Sequence, residues 1–365
     1  MSAVRDLLKK GTHEGVYPGA VLLVARKNEI VFLEHTGNRA LLPEPLPMEV
    51  DTPFDLASLT KPLATTLSIM KLVDGGAVKP DQTLEELLQI PVPPDKAAIT
   101  LRHLLAHCAG FPDWMPFYLE ISDEKPRKRK TLLRENLLNI PLLYSPGRRT
   151  LYSDLGFMIL EWVVNNVTGD SLPRFLTQHF FAPLSLKKAL YFGKTDPMQN
   201  RIEFAATEDC PWRKRVLQGE VHDENAWALG GYSGHAGLFG TAHGVYGLAS
   251  LLREHFLGLR DDYLQPKTVR AFFEKQHSTP GSTWALGWDT PSPAGSSAGR
   301  YFSPNSVGHL GFTGTSLWMD LHHDVTVILL TNRIHPSRQN TAIRAFRPRL
   351  HNLVMAQLGL NRLST

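Results

Sequence analysis

The chain has 365 residues, 42% of them hydrophobic and 20% charged, an ordinary globular composition with length for two domains or one large composite one. No stretch approaches the roughly 20 apolar residues of a membrane span, and Arg5, Lys9 and Lys10 have no apolar run behind them, so a membrane partner is excluded and a soluble, non-exported protein is expected. The net charge is +4, but the densest basic run, residues 125–130, contains Pro126 and no aromatic residue; it reads as a solvated linker, and no nucleic-acid partner is expected.

In chain order, residues 20–25 and 30–34 are β-rich runs separated by Arg26, Lys27, Asn28 and Glu29, the polarity and length of a hairpin connection. Residues 55–73 read as a turn entering a helix, with Leu63, Leu67, Met70 and Val73 at helical spacing and Gly75-Gly76 closing it. From about 81 to 192 the pattern is helical and proline-punctuated, as at 101–106 and 155–167. After Gly230 the texture is glycine-rich, and residues 316–319 and 325–331 read as strands joined by a polar turn at 322–324. A last helix over 341–358 is interrupted by Pro348, where a kink or break is expected. Strands at both chain ends predict an α+β fold: one antiparallel sheet from the two termini, flanked by helices, with a helical lobe inserted. The expected division is residues 1–75 and 226–365 in the sheet unit and 76–225 in the lobe, with a cleft between. Cys108 and Cys210 read as two reduced thiols, which predicts a cytoplasmic compartment.

A Ser-x-x-Lys pair puts both side chains on one helix face, where the amine can take the hydroxyl proton. The spacing recurs at Ser58/Lys61, Ser68/Lys71, Ser122/Lys125 and Ser185/Lys188, so context must choose. Ser68 lies inside a helix, Ser122 leads into the basic run and Ser185 follows a proline. Ser58 alone stands at a helix start, where amide dipoles favour a developing negative charge and Pro62 is tolerated in the first turn. A plain helix cap is the competing reading of Ser58.

The segment Phe54-Asp55-Leu56-Ala57-Ser58-Leu59-Thr60-Lys61 resembles the first motif of class C β-lactamases and their esterase and peptidase relatives, in the superfamily of penicillin-binding proteins. Leu101-Arg102-His103-Leu104-Leu105-Ala106-His107 resembles the family's LRHLLxH segment, Tyr152-Ser153-Asp154 its Tyr-x-Asn motif, and Gly308-His309-Leu310-Gly311-Phe312-Thr313-Gly314 the strand carrying Lys-Thr-Gly. Three active-site motifs in the right order are far more specific than one. The resemblance implies a β-lactamase/transpeptidase-like fold and a serine hydrolase that needs no cofactor. It implies that Ser58 is acylated, that Lys61 and Tyr152 share acid and base work, and that the amides of Ser58 and Phe312 form the oxyanion hole.

Two departures matter. Asp154 stands where many relatives have Asn, and a carboxylate near Lys61 would hold the amine protonated and shift the base role toward Tyr152. His309 replaces the lysine of Lys-Thr-Gly with a group that titrates near neutrality, so recognition of a substrate carboxylate should weaken. Asp154, His309, Gly311, His222 and His235 are the expected substrate-binding residues. The last two belong to the clusters Val221-His222-Asp223-Glu224-Asn225-Ala226 and Gly230-Gly231-Tyr232-Ser233-Gly234-His235-Ala236-Gly237-Leu238-Phe239. Similar stretches occur in proteins of cell-wall amino-sugar and muropeptide breakdown, which suggests a peptidoglycan-derived or other small-molecule substrate. His222, Asp223, Glu224 and His235 have the chemistry of metal ligands, but the serine site needs no metal and pocket-wall roles explain them equally well.

Other classes fall away. An α/β-hydrolase elbow fails at Gly231-Tyr232-Ser233-Gly234-His235, and a phosphate-binding loop fails because Lys188 stands where Gly193-Lys194-Thr195 requires its first glycine. Esters, D-amino-acid or muramyl peptides and β-lactams remain as substrates. The alternative function is a slow penicillin-binding-like sensor. Nothing in the sequence speaks to oligomeric state.

Overall fold

A computed structural model describes residues 1–192, 203–277 and 279–361; the Gly193-Lys194-Thr195 tripeptide lies outside them. The main sheet has six strands in the order Leu46–Pro47, Glu29–Ala40, Gly19–Arg26, Val325–Thr331, Ser316–Asp320 and Ser306–Leu310. Every neighbouring pair is antiparallel, and the first long strand of the chain lies against the last, from Ala20 opposite Thr331 to Arg26 opposite Val325. The expected hairpin tightens to a two-residue loop, because Lys27 and Asn28 adopt φ of 49° and 67°. Positive φ at both positions gives the turn whose twist matches that of the strands.

Gly19–Arg26 is buried along nearly its whole length, and its side chains divide by period two. Val21, Leu23 and Ala25 join the large core that contains Val245, Leu248 and Leu252 of the helix Ala242–Leu257. Ala20, Leu22 and Val24 join a second core with Val4 and Leu8 of the helix Ser2–His13 and Phe346 and Leu350 of the helix Ile343–Gln357. Helices therefore cover both faces, which is why this strand reads as an unbroken apolar run.

Between the strand groups stands a lobe of short helices packed around Asp154–Thr168, whose residues from Leu155 to Val164 are all buried. Two expectations change here. The basic run is no linker: Pro126 opens the helix Pro126–Asn139, a position where its missing N–H costs nothing. Arg129 donates to the carbonyls of Ser122, Glu124 and Ala228, each at 2.8 Å, and Lys130 reaches Glu161 at 2.8 Å. The C-terminal helix does not break either, since it continues from Ile343 to Gln357 with Pro348 inside it. Cys108 and Cys210 are buried and unpaired, and no described helix is long and apolar enough to cross a membrane.

A small second sheet, Phe54–Asp55, Leu238–Gly240 and Leu190–Phe192, ties the segment before Ser58 to the glycine-rich segment. Gly234 completes this joint. Its carbonyl accepts from Thr65 Oγ1 at 2.6 Å, and a Cβ there would lie 1.9 Å from the Phe157 carbonyl oxygen. The glycine lets the backbone wedge between the helical stretch that carries Lys61 and the helix that begins at Asp154. Gly234→Ala is expected to destabilise the protein by at least about 1–3 kcal/mol, the scale of overpacking, read as a lower urea midpoint with an unchanged slope.

Candidate active site

Ser58 lies in a single 3-10 turn, Ala57–Leu59, followed by a π-helical turn over Lys61–Thr66 and then the α-helix Leu67–Asp74. The expected plain α-helical start is thus wider than regular, and Pro62, without an N–H, withholds one amide from the ladder. Ala57 is held at φ 47°, a conformation that costs a residue with a Cβ and persists only when the surroundings impose it. The buried Asp55 imposes it. Its Oδ1 accepts from the Ala57 amide at 2.8 Å and its Oδ2 from the His222 amide at 2.7 Å.

The opposite wall of the site is the end of the strand Ser306–Leu310. Thr313 Oγ1 donates to the Asp55 carbonyl at 2.8 Å and Thr315 Oγ1 to the Leu56 carbonyl at 3.1 Å. A Cβ on Gly311 would fall 2.0 Å from Thr315 Oγ1 and 2.6 Å from the Leu56 carbonyl oxygen, so only glycine allows this close approach. The amides of Ser58 and Phe312 donate no hydrogen bond among the described residues. Arg333 grips the Phe312 carbonyl at 2.9 and 2.6 Å and fixes the backbone there, while the ring, 47% exposed, stands at the rim.

Lys61 is 0% exposed and its ammonium faces a full set of acceptors: Ser58 Oγ at 3.1 Å, Tyr152 Oη at 2.6 Å, Asp154 Oδ1 at 2.6 Å and the His235 carbonyl at 3.5 Å. Burial would lower this amine, but Asp154 and Tyr152 together raise it above the ordinary lysine range. Tyr152 is raised too, by burial first, with the Lys61 charge opposing. Lys61 therefore rests as the ammonium and Tyr152 as the phenol.

Aromatic rings enclose Tyr152. His107 lies 4.6 Å and Trp284 5.7 Å from it between ring centroids, and His309 5.8 Å. His107 Nδ1 accepts from the Ser153 amide at 3.1 Å, which positions the Tyr152-Ser153-Asp154 segment. Burial and then the Lys61 charge hold His107 well below the usual imidazole range. The same two causes bring His309 to about 3. The expectation that His309 titrates near neutrality is thus overturned: enclosed beside a buried cation, it stays neutral.

Two cavities meet at Ser58, Tyr152 and Phe312. One, of about 390 Å³, is lined by Trp284, Asp289, His309, Gly311, Arg333, Arg344 and Arg347. None of these arginines forms an ion pair among the described residues, and the buried Arg347 leaves Nε without a hydrogen-bond partner. Burial lowers Arg333 and Arg347 to about 10 each, so both remain cations. Asp289, across the same cavity, is pushed up to about 6 by burial.

The other cavity, of about 450 Å³, is lined by Asp113, Trp114, Asp154, His222, Asp223, Glu224, His235 and Arg338. His235 Nε2 pairs with Asp223 at 2.9 Å and His222 Nε2 with Glu208 at 3.1 Å. Burial would raise Glu208, but hydrogen bonds from His222 and Arg338 hold it at about 2. Asp154, Asp223 and His235 bring ligand atoms within 4.8 Å of one another, a spacing that fits a cation. The Lys61 ammonium already supplies that positive charge at Asp154.

All the residues expected to act or bind, Ser58, Lys61, Tyr152, Asp154, Gly311, Phe312, His309, His222 and His235, thus face this pair of cavities or form the cluster beneath them. Asp55 and Thr313 stood inside recognised motifs without an assigned role, and Thr315 follows directly after one. Arg333, Arg344 and Arg347 carried no motif; the spacing of the last two on one helix face was the only signal.

Comparisons with known proteins agree. The family model described as Beta-lactamase matches residues 4–347. The chain is 31% identical over 358 residues to a putative D-alanyl-D-alanine carboxypeptidase of Salmonella enteritidis, covering 90% of this chain and 81% of that protein. It is 32% identical over 351 residues to an N-acetylmuramyl-L-alanine amidase of Bacillus subtilis, covering 87% and 78%. Among solved structures, EstCE1, a hydrolase with promiscuous acyltransferase activity, superposes with a TM-score of 0.71 at 25% identity, over 95% of this chain and 98% of that one. With the family match spanning nearly the whole chain, its α+β architecture and its hydrolase relatives, this protein belongs to the β-lactamase family and is a serine hydrolase.

Proposed function

We propose that Ser58 is the nucleophile and that the enzyme hydrolyses an amide or ester whose leaving group carries a carboxylate, as in a peptidoglycan-derived peptide. The observation that carries this reading is the Lys61 ammonium held between Ser58 Oγ at 3.1 Å, Tyr152 Oη at 2.6 Å and Asp154 at 2.6 Å. Nucleophile, proton carrier and orienting anion stand in one hydrogen-bonded chain. In the enzyme whose Tyr152–Lys61 pair has given one proton to solvent, Ser58 Oγ attacks the acyl carbon as its own proton passes into that pair. The oxyanion meets the unpaired amides of Ser58 and Phe312, where fixed donors are worth most because they need no reorganisation. Collapse expels the leaving amine or alcohol, which takes the proton from the same pair, and water then attacks the acyl-enzyme by the reverse route.

The unpaired arginines support a carboxylate on the leaving group. On this reading their charge stands in for the lysine that His309 replaces. The names of the relatives support peptidoglycan-derived substrates. Two buried, unpaired cysteines suit a reducing compartment, and we place the protein in the cytoplasm.

Ser58→Ala is expected to abolish hydrolysis of p-nitrophenyl acetate and of an N-acetylmuramyl amide, with the acyl adduct lost in intact-protein mass spectrometry. Tyr152→Phe should lower turnover by roughly 100-fold or more. Undiminished activity in Ser58→Ala would remove the assignment. A product burst equal to the enzyme concentration with no steady state would make the protein a sensor.

Asp154 raises both Lys61 and Tyr152, and hydrolysis requires that pair to give up a proton. Activity should therefore rise on the alkaline side, and Asp154→Asn should move that rise to lower pH. A kcat/KM profile from pH 5 to 10 reads the shift; an unmoved or raised limb would remove Asp154 from the proton path. Arg344→Ala should lower kcat/KM for a substrate with a free carboxylate on the leaving group, and much less for the same substrate amidated there. Equal losses would show that the arginines do not read that charge.

A further inference from the structure

Beside the acidic cavity opens a second concavity, of about 680 Å³, lined by Tyr118, Asp209, Trp212 and Gln339 and sharing Glu224 and Arg338 with the cavity that holds Ser58. Three aromatic rings lead from one to the other. Trp114 stands on the rim of the Ser58 cavity, Tyr118 lies 6.5 Å from it between ring centroids, and Trp212 lies 4.7 Å beyond Tyr118. Trp114 is 41% exposed and Trp212 37%. Exposed indoles in a contiguous row, polar at the edges, mark a surface that meets a ligand.

Trp212 and the backbone at Tyr118 are held by neighbouring side chains. The Arg213 guanidinium sits against Trp212 and Trp227, 5.3 and 5.0 Å from their centroids, and donates to the carbonyls of Val221 at 2.7 Å and His222 at 3.0 Å. Asn225 clasps the other end, accepting from the Tyr118 amide at 2.8 Å and donating to the Met115 carbonyl at 2.9 Å. Prefixed rings spare the ordering entropy that a flexible surface loses on binding.

The polar rim indicates what lies there. Arg338 is already paired with Glu208 and Glu224, so its charge is balanced and the ligand need carry none. The occupant must lay a flat apolar face on indole and phenol while offering neutral hydroxyl or amide groups to acid, arginine and glutamine. A pyranose ring has that geometry, with C–H bonds on its faces and hydroxyls around its edge.

We infer that the Tyr118–Trp212 concavity is a saccharide subsite, one ring beyond the unit at Ser58, so that the preferred substrate carries at least a disaccharide on its acyl side. The continuity through Glu224 and Arg338 joins this site to the reaction cavity, and the inference rests on the reading of Ser58 as the reacting group. The test compares N-acetylmuramyl-L-alanine with the same compound extended by one N-acetylglucosamine. The extended substrate should have the higher kcat/KM by about tenfold, the scale of one good aromatic contact. Trp212→Ala should bring the ratio to about one and Trp212→Phe should restore part of it. Equal values in the wild type, or an equal loss on both substrates in Trp212→Ala, would overturn the subsite and leave the row as a contact for another protein.

A binding measurement separates this inference from the one beneath it. Calorimetry of the Ser58→Ala protein with the extended, unreacted substrate should give affinity about tenfold above the shorter one, whichever residue is the nucleophile. Discrimination in binding with turnover intact in Ser58→Ala would keep the subsite and reject the nucleophile; no discrimination would reject the subsite alone.

Discussion

The structure is organised around one buried charge. An ammonium with no exposed surface has lost its hydration, a loss of several kcal/mol unless anions and dipoles replace the water. Lys61 recovers it through Ser58 on its own turn, Tyr152 and Asp154 on a second segment and the His235 carbonyl on a third. The charge also sets the state of its surroundings. His107 and His309 face it through burial and repulsion and stay neutral, so both serve as fixed dipoles and flat walls, and the proposed proton traffic is left to the Lys61–Tyr152 pair.

That dependence explains why the fold closes its sheet with both chain ends. The strand end that bears Gly311, Thr313 and Thr315 belongs to the last third of the chain, and Ser58 to the first sixth. Only the pairing of Gly19–Arg26 with Val325–Thr331 brings them together. Thr313 and Thr315 then bond the carbonyls of Asp55 and Leu56, and the strained Ala57 is locked from both sides. Ser58 held this way cannot relax into a regular helix start.

Much of this was legible in the sequence because its signals are local. The hairpin was visible in the two β-rich runs and the polarity of Arg26, Lys27, Asn28 and Glu29 between them. Ser58, Lys61, Tyr152 and Asp154 were visible because their motifs lie in a recognisable order. What escaped depends on distance along the chain. The strand Leu238–Gly240 is too short to show a period, and its pairing with Phe54–Asp55 is a tertiary event. Pro126 was read as a linker because proline marks helix starts and loops alike. Asp55 carries no sign of its two amide bonds until His222 is brought to it, and the effect of His309 was misjudged because a titration range follows from burial, which the sequence does not state.

The arginines take this furthest. Read alone, His309 for lysine predicted a poorer carboxylate site, a conclusion that treats one position as the whole electrostatic field. Arg333 and Arg347 lie in the interior near the same cavity wall, without carboxylate partners among the described residues. The cleft is thereby polarised: cations behind His309, and acids with paired histidines beyond Asp154 on the other side of Ser58. A field with that direction orients an asymmetric substrate before any contact is made. On the proposed reading, a leaving-group carboxylate is drawn to the arginines, which turns the uncharged acyl part toward the acidic chamber and the aromatic row. In the proposed reaction, charge selects the direction of binding, and shape and hydrogen bonding on the far side select what is bound.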